Sequence, residues 1–400
     1  MKTAPQQKPN KITRIIGYYL GFIALGLTTS SLGPTLPALA QQTGSGLSEV
    51  SILFTARSLG YLLGTYRCGG FFDRFSGHKV LTASLLLMLG MMMLVPLLPI
   101  LWVLFCVMVV LGLGEGVMDV GENTLLVWTF QEKSGPFMNG LHFFYGIGAF
   151  LSPIIIARVL HLSGEQRWAY WTLALLLLPS IFWLAKQPSP AIPAEYQNGK
   201  KTSLKIDLIL IIAAFYFFHV GASVCMSGWI YTYARTLSIG SADMAAYLTS
   251  AFWGALTVSR LLGIPIAAKA HPRRIITVDI LGSIASLGVI MLWQQSEAAL
   301  WIGTIGSGVF MASIFPITIT LLGRYLPING RMTGFFFMGG SVGSMFLPWL
   351  IGQLFEPVGA FIAMLITLLS MIFSLVVFLW LMARLDGSQI AVTAEKDLAA

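Results

Sequence analysis

Long apolar runs recur along the whole sequence, and they constrain its fold more than any motif does. About twelve runs reach the roughly 20 residues that an α-helix needs to cross the hydrocarbon core of a bilayer. In chain order these predicted helices 1–12 cover residues 12–39, 50–70, 80–99, 101–129, 137–160, 168–185, 206–233, 244–268, 275–294, 299–321, 333–354 and 358–383. With 56% hydrophobic and 10% charged residues, the chain does not have the composition of a soluble domain. The sequence therefore predicts an all-α membrane protein with about twelve transmembrane helices.

The distribution of Lys and Arg between the connecting segments predicts the orientation of the chain. If the N-terminus lies in the cytoplasm, 18 of the 24 basic residues fall on the cytoplasmic side, as the positive-inside rule requires. The outer segments contain only Arg158, Arg167 and Arg235. We therefore expect both termini in the cytoplasm and a multi-pass protein of the inner (cytoplasmic) membrane. The net charge of +8 follows from this bias, so no nucleic-acid partner is expected.

A polar segment rich in Pro and Lys, residues 186–205, separates six predicted helices from six. Its composition is typical of a linker, and its charge places it in the cytoplasm. The sequence therefore predicts an N-terminal six-helix bundle over residues 1–185. A C-terminal six-helix bundle with a short cytoplasmic tail follows over residues 206–400.

Small motifs repeat between the two halves at an offset near 194 residues. Gly148 and Pro153 in the first half match Gly343 and Pro348 in the second. Parallel six-helix repeats with a binding site at their interface, near the membrane centre, are the architecture of major facilitator transporters. We therefore expect two bundles related by a pseudo-two-fold axis along the membrane normal. Chance matching of Gly and Pro in apolar helices is the alternative.

Three carboxylates interrupt the fourth apolar run, in the stretch LGLGEGVMDVGEN from Leu111 to Asn123. Glu115, Asp119 and Glu122 are spaced so that their side chains lie within an arc of roughly 60° on one helix face. Each charged group at the bilayer centre costs about 2.5–3.5 kcal/mol on insertion scales. The three acids must therefore face protein or water rather than lipid, and the glycines between them leave room for a close helix neighbour.

Further ionisable residues lie within the predicted helices at a similar depth. Counting inward at 1.5 Å per residue places Asp119, His142 and Arg260 roughly 10–16 Å from the cytoplasmic ends of their helices. If the two halves meet as in major facilitator transporters, helices 5 and 8 approach each other beside helix 4, and a helix 4 carboxylate can pair with Arg260 across the interface. We therefore group the three acids with His142 and Arg260 as coupling residues. A structural counter-ion role for Arg260 and a packing role for His142 are the alternatives. Arg57 also needs a partner, and Glu115 is the acid nearest to it in depth.

Small polar and aromatic side chains in the predicted helices are candidates for binding a polar solute. Sugars bind by stacking an apolar ring face on an aromatic side chain and by hydrogen bonds to their hydroxyl groups. The predicted substrate contacts are Ser30 in helix 1, Tyr145 in helix 5, Ser223 and Trp229 in helix 7, and Trp253 in helix 8. A Trp in a membrane helix is more often a packing residue or an interface anchor, so each Trp keeps that alternative.

The turn after the second predicted helix, DRFSGHK from Asp73, resembles the signature loop between helices 2 and 3 of the major facilitator superfamily. In the family pattern the Gly comes three residues after the Asp, whereas here Gly77 comes four residues after it. The resemblance implies that Asp73 and Arg74 stabilise a cytoplasmic gate, and we place Arg57 with them as a gating residue. A solvated turn without a function is the alternative.

Strings in both halves look like the sodium-dependent glucose transporter-like branch of the major facilitator superfamily. They are GEGVMDVGEN from Gly114, LHFFYGIGAFLSP from Leu141, VGASVCMSGWIYTYA from Val220, SAFWGALTVSRLLGIP from Ser250, MASIFP from Met311 and SMFLPWLIG from Ser344. More distantly, the acid at 119 followed four residues later by Asn123 resembles the fucose permeases.

This resemblance implies a monosaccharide symporter with Asp119 as the coupling acid and Asn123 as the amide that contacts the sugar. Two departures from the family pattern bear on the coupling ion. Relatives often carry an acid where this chain has Ser223, and Glu122 is an acid where relatives tend to be small or apolar. The chain therefore leaves both proton and sodium open as the coupling ion.

We expect a monomeric secondary transporter that works by alternating access in the lipid bilayer, without a cofactor and without enzymatic activity. It takes up a small neutral polar solute, a monosaccharide, with a proton or sodium ion; a proton-driven exporter of amphipathic compounds is the alternative. A membrane enzyme using His142 and Glu122 as acid and base would lack a metal set and a nucleophile. A receptor would lack a signalling domain, and Cys68, Cys106 and Cys225 have no disulfide or metal spacing.

Overall fold

The computed structural model describes residues 11–191, 206–323, 325 and 330–399, and every regular element in these ranges is helical. It describes the backbone alone at residues 69–71, 73, 74, 132, 268, 330–333 and 387–399. The α-helices are α1 (Lys11–Thr29), α2 (Leu32–Thr43), α3 (Leu47–Val50), α4 (Ile52–Arg74), α5 (Gly77–Leu94), α6 (Leu101–Phe130), α7 (Ser134–Ser163), α8 (Gln166–Leu175), α9 (Leu178–Ala185), α10 (Ile206–Thr236), α11 (Ala242–Lys269), α12 (Pro272–Leu292), α13 (Glu297–Met311), α14 (Ile314–Leu322), α15 (Gly330–Val358) and α16 (Phe361–Ala399). Short 3₁₀ turns at Val95–Leu97 and Gln131–Lys133 follow α5 and α6.

Helices occupy every apolar run that the sequence predicts to span the membrane. In the part of the chain that the structure describes, eleven stretches are long and apolar enough to cross a bilayer. The other predicted span is α4, which is long enough with its 23 residues but carries Arg57 and Arg67. The prediction of an all-helical membrane protein is thus confirmed. Residues 192–205 of the predicted linker lie outside the described residues, so the division into two domains stays a prediction.

Three of the predicted spans are interrupted by a short break, and each break begins near a carbonyl that lies four residues before a proline. Proline has no N–H, so that carbonyl loses its helical donor. The carbonyl and proline pairs are Ser30 and Pro34 between α1 and α2, Leu175 and Pro179 between α8 and α9, and Ala312 and Pro316 between α13 and α14. Hydropathy predicts continuous spans here because it does not register a missing donor.

Equivalent helix pairs in the two halves pack through equivalent glycines. In the first half α1 packs on α7, and in the second α10 packs on α15. A Cβ atom placed on Gly148 would lie 2.1 Å from the carbonyl oxygen of Ile23, and one placed on Gly343 would lie 2.0 Å from that of Phe217. Ile23 and Phe217 are separated by the repeat offset near 194 that the sequence shows. The repeated motif therefore serves the same close backbone contact in both halves.

The halves meet along α4 and α15, α7 and α11, and α2 and α10, and the short helix α3 packs on α15. Polar contacts join α3 to the last turns of α15, at the end that the sequence assigns to the outer side. Gln353 Nε2 donates to the carbonyl of Ser48 at 2.7 Å, and Glu356 Oε1 accepts from the N–H of Leu47 at 2.8 Å. These bonds tie the two halves together at that end.

Candidate functional site

A buried ion pair joins α4 to α6 in the middle of the first half. Arg57 Nε donates to Glu115 Oε2 at 2.9 Å, and a second bond between Arg57 Nη2 and Glu115 Oε1 makes the pair bidentate. Arg57 Nη1 also donates to the carbonyl of Thr29 on α1 at 3.0 Å. Arg57 is 8% exposed and Glu115 is 3% exposed. Glu115, the partner that helix depth predicts for Arg57, is therefore its partner in the structure. The two opposite charges compensate each other away from solvent.

One turn further along the same two helices, Asp119 receives two hydrogen bonds. Tyr61 Oη donates to Asp119 Oδ2 at 2.5 Å, and Asn123 Nδ2 donates to Asp119 Oδ1 at 2.9 Å and to the Asp119 carbonyl at 2.8 Å. Asp119 and Asn123 are both partly exposed, unlike Glu115. The structure therefore brings together the acid and the amide that the sequence singles out, and it leaves them accessible to a ligand.

Glycines place α4 and α6 close enough for both of these contacts. A Cβ atom placed on Gly112 of α6 would lie 2.0 Å from the carbonyl oxygen of Arg57. A Cβ atom placed on Gly60 of α4 would lie 1.9 Å from the carbonyl oxygen of Val109. The same reciprocal contact recurs one turn further along each helix. Small residues on both faces thus let the backbones touch, and the side chains beside them reach across.

Glu122 does not share the environment of Asp119. It is completely buried, and neither of its carboxyl oxygens has a hydrogen-bond partner among the described residues. Its carboxyl group lies against α1, where a Cβ atom on Gly21 would be 1.9 Å from Glu122 Oε1. The sequence places the three acids on one helix face, but in the structure Glu122 lies against α1 whereas Asp119 bonds to Tyr61 of α4. Glu122 lies three residues beyond Asp119, and the helical rotation over those residues turns its side chain from the α4 side of α6 to the α1 side.

Arg260 of α11 has a backbone partner where the sequence predicts a carboxylate. Its Nε donates to the carbonyl of Ala312 at 3.2 Å, and no acid among the described residues lies within 4.0 Å of its guanidinium. The Ala312 carbonyl is the one that Pro316 leaves without a donor, so Arg260 replaces the missing N–H. The predicted ion pair across the interface is corrected accordingly.

Aromatic rings from α1, α7 and α11 lie beside this site. Tyr145 and Trp253 pack edge to face with ring centroids 5.7 Å apart, and Trp253 Nε1 has no partner among the described residues. His142 packs against the ring of Phe22 at 5.6 Å. A Cβ atom placed on Gly26 of α1 would lie 2.1 Å from the carbonyl oxygen of Tyr145, and Thr29 of the same helix accepts the bond from Arg57, so the aromatic pair lies near the ion pair. Tyr145 and Trp253 therefore have the position that a sugar-stacking platform needs.

The remaining predicted substrate residues differ in their burial. Trp229 is fully buried, stacks on Phe355 at 5.1 Å and donates from Nε1 to the carbonyl of Pro348 at 3.1 Å, so it packs the core instead of lining a site. Ser30 is buried at the break between α1 and α2, and its hydroxyl has no partner among the described residues. Ser223 is partly exposed.

Of the predicted gating residues, only Arg57 has a described side chain. Arg57 belongs to the buried ion pair with Glu115. The side chains of Asp73 and Arg74 lie outside the described residues, so their predicted role at a cytoplasmic gate stays a prediction.

Sequence reasoning missed Tyr61, the hydroxyl donor to Asp119. The signal was available, because Tyr61 follows Arg57 by four residues just as Asp119 follows Glu115. Equal spacing on two helices predicts a second contact one turn beyond the first. The tyrosine was overlooked because it carries no charge.

Sequence reasoning also missed Asp279, a carboxylate inside the predicted ninth span. In the structure Ser313, at the break between α13 and α14, donates to its Oδ2. An acid within an apolar run is itself a signal for a buried polar partner. Asp279 of α12 and Arg260 of α11 therefore bind the two residues at this break, Ser313 and Ala312.

Comparisons with known proteins show which proteins this chain is similar to. The family model described as Major Facilitator Superfamily matches residues 18–305. Sodium-dependent glucose transporter 1A of Mus musculus is 28% identical over 84% of this chain and 88% of its own length. Sodium-dependent glucose transporter 1 of Danio rerio is 31% identical over 92% of this chain and 69% of its own length. The crystal structure of a D-xylose-proton symporter superposes with a TM-score of 0.75 at 14% identity, covering 91% of this chain and 97% of that one.

Proposed function

This chain belongs to the Major Facilitator Superfamily, and we propose that it is a secondary transporter that works by alternating access. We propose further that it takes up a small neutral polar solute, a monosaccharide, together with a proton or sodium ion. One observation carries this proposal. Asp119 is held by Tyr61 and Asn123 and is partly exposed, and the pair Tyr145 and Trp253 lies beside α1, whose Thr29 carbonyl binds Arg57 one turn from Asp119.

In this proposal Asp119 binds the cation, and Asn123 and Trp253 bind the sugar. The Asp119 carboxylate binds a proton or a sodium ion, because it has no counter-ion within hydrogen-bond distance among the described residues. Asn123 spends its amide donor on Asp119, and its side-chain oxygen accepts no bond from a described residue. That oxygen and the unpaired Trp253 Nε1 are available to sugar hydroxyls. Because Asn123 touches both ligands, occupancy of Asp119 alters sugar binding.

The proposed transport cycle needs two bodies that move against each other. We propose six-helix bundles over residues 1–185 and 206–400, related by a pseudo-two-fold axis along the membrane normal. The equivalent glycine contacts at Gly148 and Gly343 support this symmetry. Alternating access then requires the bonds of Gln353 and Glu356 to α3 to open in the outward-facing state.

The names of similar proteins support both candidate ions. The mouse and zebrafish relatives are named sodium-dependent glucose transporters, whereas the xylose symporter is named for its proton. We propose that one of these ions binds at Asp119, with Glu122, His142, Arg260 and Glu115 as the surrounding coupling residues.

We also propose that the protein acts as a monomer in the inner membrane, without a cofactor and with both termini in the cytoplasm. The bias of basic residues supports this orientation. Fusion of a fluorescent reporter that matures only in the cytoplasm to the C-terminus tests it. A dark, stable fusion would contradict the proposed orientation.

Reconstitution into proteoliposomes tests the proposed function. A panel of radiolabelled monosaccharides is offered under an imposed proton or sodium gradient, and we expect accumulation of one of them with one of the ions. Asp119→Asn should abolish gradient-driven accumulation and retain counterflow, because the sugar contacts remain while the cation site is lost. Asp207→Asn, at an exposed acid in the first turn of α10, is the matched control. Full accumulation by Asp119→Asn would refute the coupling role.

A further inference from the structure

A cavity of about 570 Å³ lies at the outer end of the molecule, between α2, α7, α8, α10 and the end of α15. Helices of both halves therefore contribute to its wall. Its volume falls within the range of about 300–1,000 Å³ that small-molecule sites occupy. Nothing in the proposed central site accounts for this cavity, because its lining shares no residue with Asp119 and its partners.

Close packing between the two halves separates this cavity from the central site. A Cβ atom placed on Gly33 of α2 would lie 2.7 Å from the carbonyl oxygen of Ser227 on α10. A Cβ atom placed on Gly228 would lie 2.8 Å from the ring of Phe54 on α4. Gly33 immediately precedes Pro34 of the cavity wall, and Thr232 lies one turn beyond Gly228. The cavity is thus on the outer side of a seal formed by glycine contacts.

Two polar groups in the cavity wall have no protein partner. Thr232 is 2% exposed, and its hydroxyl makes no hydrogen bond to a described residue. Gln166 Nε2, from the first turn of α8, is likewise buried and unpaired. A buried donor or acceptor without a partner destabilises the folded protein. By contrast, the hydroxyl of Ser227 on the same helix as Thr232 donates to the carbonyl of Ser223. The cavity therefore holds hydrogen-bonding capacity that a ligand or water must satisfy.

The rest of the wall favours a neutral ligand that has an apolar face. Arg235 and Glu356 both line the cavity, so its two charges are of opposite sign. Pro34, Ile156 and Tyr231 add apolar surface to the same wall. A sugar ring presents the same combination, with C–H groups on one face and hydroxyl groups around its edge.

We propose that this cavity is a second solute site, which holds a monosaccharide on the outer side of the seal while the central site is closed to that side. The inference rests on the proposed function for the chemical class of its ligand. Thr232 and Gln166 supply hydrogen bonds to hydroxyl groups, and Tyr231 supplies the stacking surface. A transporter with both sites binds two molecules of its sugar in this conformation.

Binding stoichiometry tests the proposal. The full chain in detergent is dialysed to equilibrium against tritiated D-glucose first, and then against the other monosaccharides of the panel. We expect saturation at two molecules per protein for the wild type. The double variant Thr232→Val with Gln166→Leu should bind one, and Asn123→Leu should bind the other one. Thr232→Val keeps the side-chain volume, and elution as a monodisperse peak in size-exclusion chromatography checks that each variant is folded.

The possible failures point to different conclusions. Saturation at one molecule in the wild type, unchanged in the double variant, overturns the second site and assigns the cavity to water. The proposed function survives that outcome. Absence of binding by any monosaccharide of the panel overturns the sugar assignment, and the second site falls with it.

The second site also predicts protection from the outer side. In intact cells, Thr236→Cys, at an exposed residue of the cavity wall, should react with a membrane-impermeant maleimide more slowly when sugar is present, whereas Ser163→Cys, exposed at the same end outside the cavity, should not change. Protection must persist when Asn123→Leu is added, because the central site is then disabled. Loss of protection in that background would assign it to the central site and refute the proposal.

Discussion

Removal of either member of the Arg57 and Glu115 ion pair should destabilise the protein strongly. The pair is bidentate, and both side chains are more than nine-tenths buried. Loss of one partner of a buried pair costs about 3–5 kcal/mol, because the other charge remains without compensation. Glu115→Gln should therefore raise the unfolding equilibrium constant by roughly a hundredfold or more. Arg57→Met should cost a further ~1 kcal/mol, because the Thr29 carbonyl loses its donor as well.

The double variant Arg57→Met with Glu115→Met separates a charge effect from a packing effect. Replacing a buried pair by apolar side chains of similar volume is often neutral. We therefore expect the double variant to lie closer to the wild type than either single variant does. Reversible unfolding in mixed micelles, with a rising mole fraction of SDS and circular dichroism as the readout, measures all four proteins. A double variant as unstable as the sum of the single ones would refute this account.

Two further predictions concern the other partners of α6. Gly21→Ala should destabilise the protein by about 1–3 kcal/mol, because the new Cβ atom would lie 1.9 Å from the buried carboxyl group of Glu122. Glu122→Ala in that background should restore stability. Gly90→Ala, where a Cβ atom meets nothing within 4 Å, is the control for thermal unfolding in detergent, and equal losses at both glycines would contradict the contact. Tyr61→Phe should lower gradient-driven sugar accumulation while counterflow at saturating sugar persists, because Asp119 keeps only its bond from Asn123. Unchanged accumulation would show that the hydroxyl of Tyr61 has no part in coupling.

The sequence predicts the membrane-spanning architecture well, because hydropathy reports directly on burial in lipid. It also predicts the partner of Arg57, because depth along two helices that run in the same direction follows from counting residues. It fails at the three proline breaks. There the cause is a single missing N–H, which barely changes the hydropathy of the surrounding run.

The candidate site is predicted less completely, because side-chain direction depends on which helices are neighbours. Asp119 and Glu122 differ by three residues, and only the packing of α4 and α1 against α6 gives them different partners. Arg260 was expected to meet an acid, but the carbonyl of Ala312 is closer. Trp229 looks like a sugar-stacking residue by type, and its burial between helices is not visible in a linear pattern.

The two contacts between α4 and α6 also fix the alignment of these helices during membrane insertion. Both contacts join residues 58 positions apart, Arg57 with Glu115 and Tyr61 with Asp119. A slip of one helical turn would set Arg57 beside Leu111 and Tyr61 beside Glu115, leaving a cation buried among apolar groups. The slip would also bring Met108 to the place of Gly112 opposite the carbonyl of Arg57, where a Cβ atom would lie 2.0 Å from the oxygen, so steric fit and charge both favour the native pairing. The two polar contacts therefore favour the native pairing of α4 with α6 during assembly, before any solute is bound.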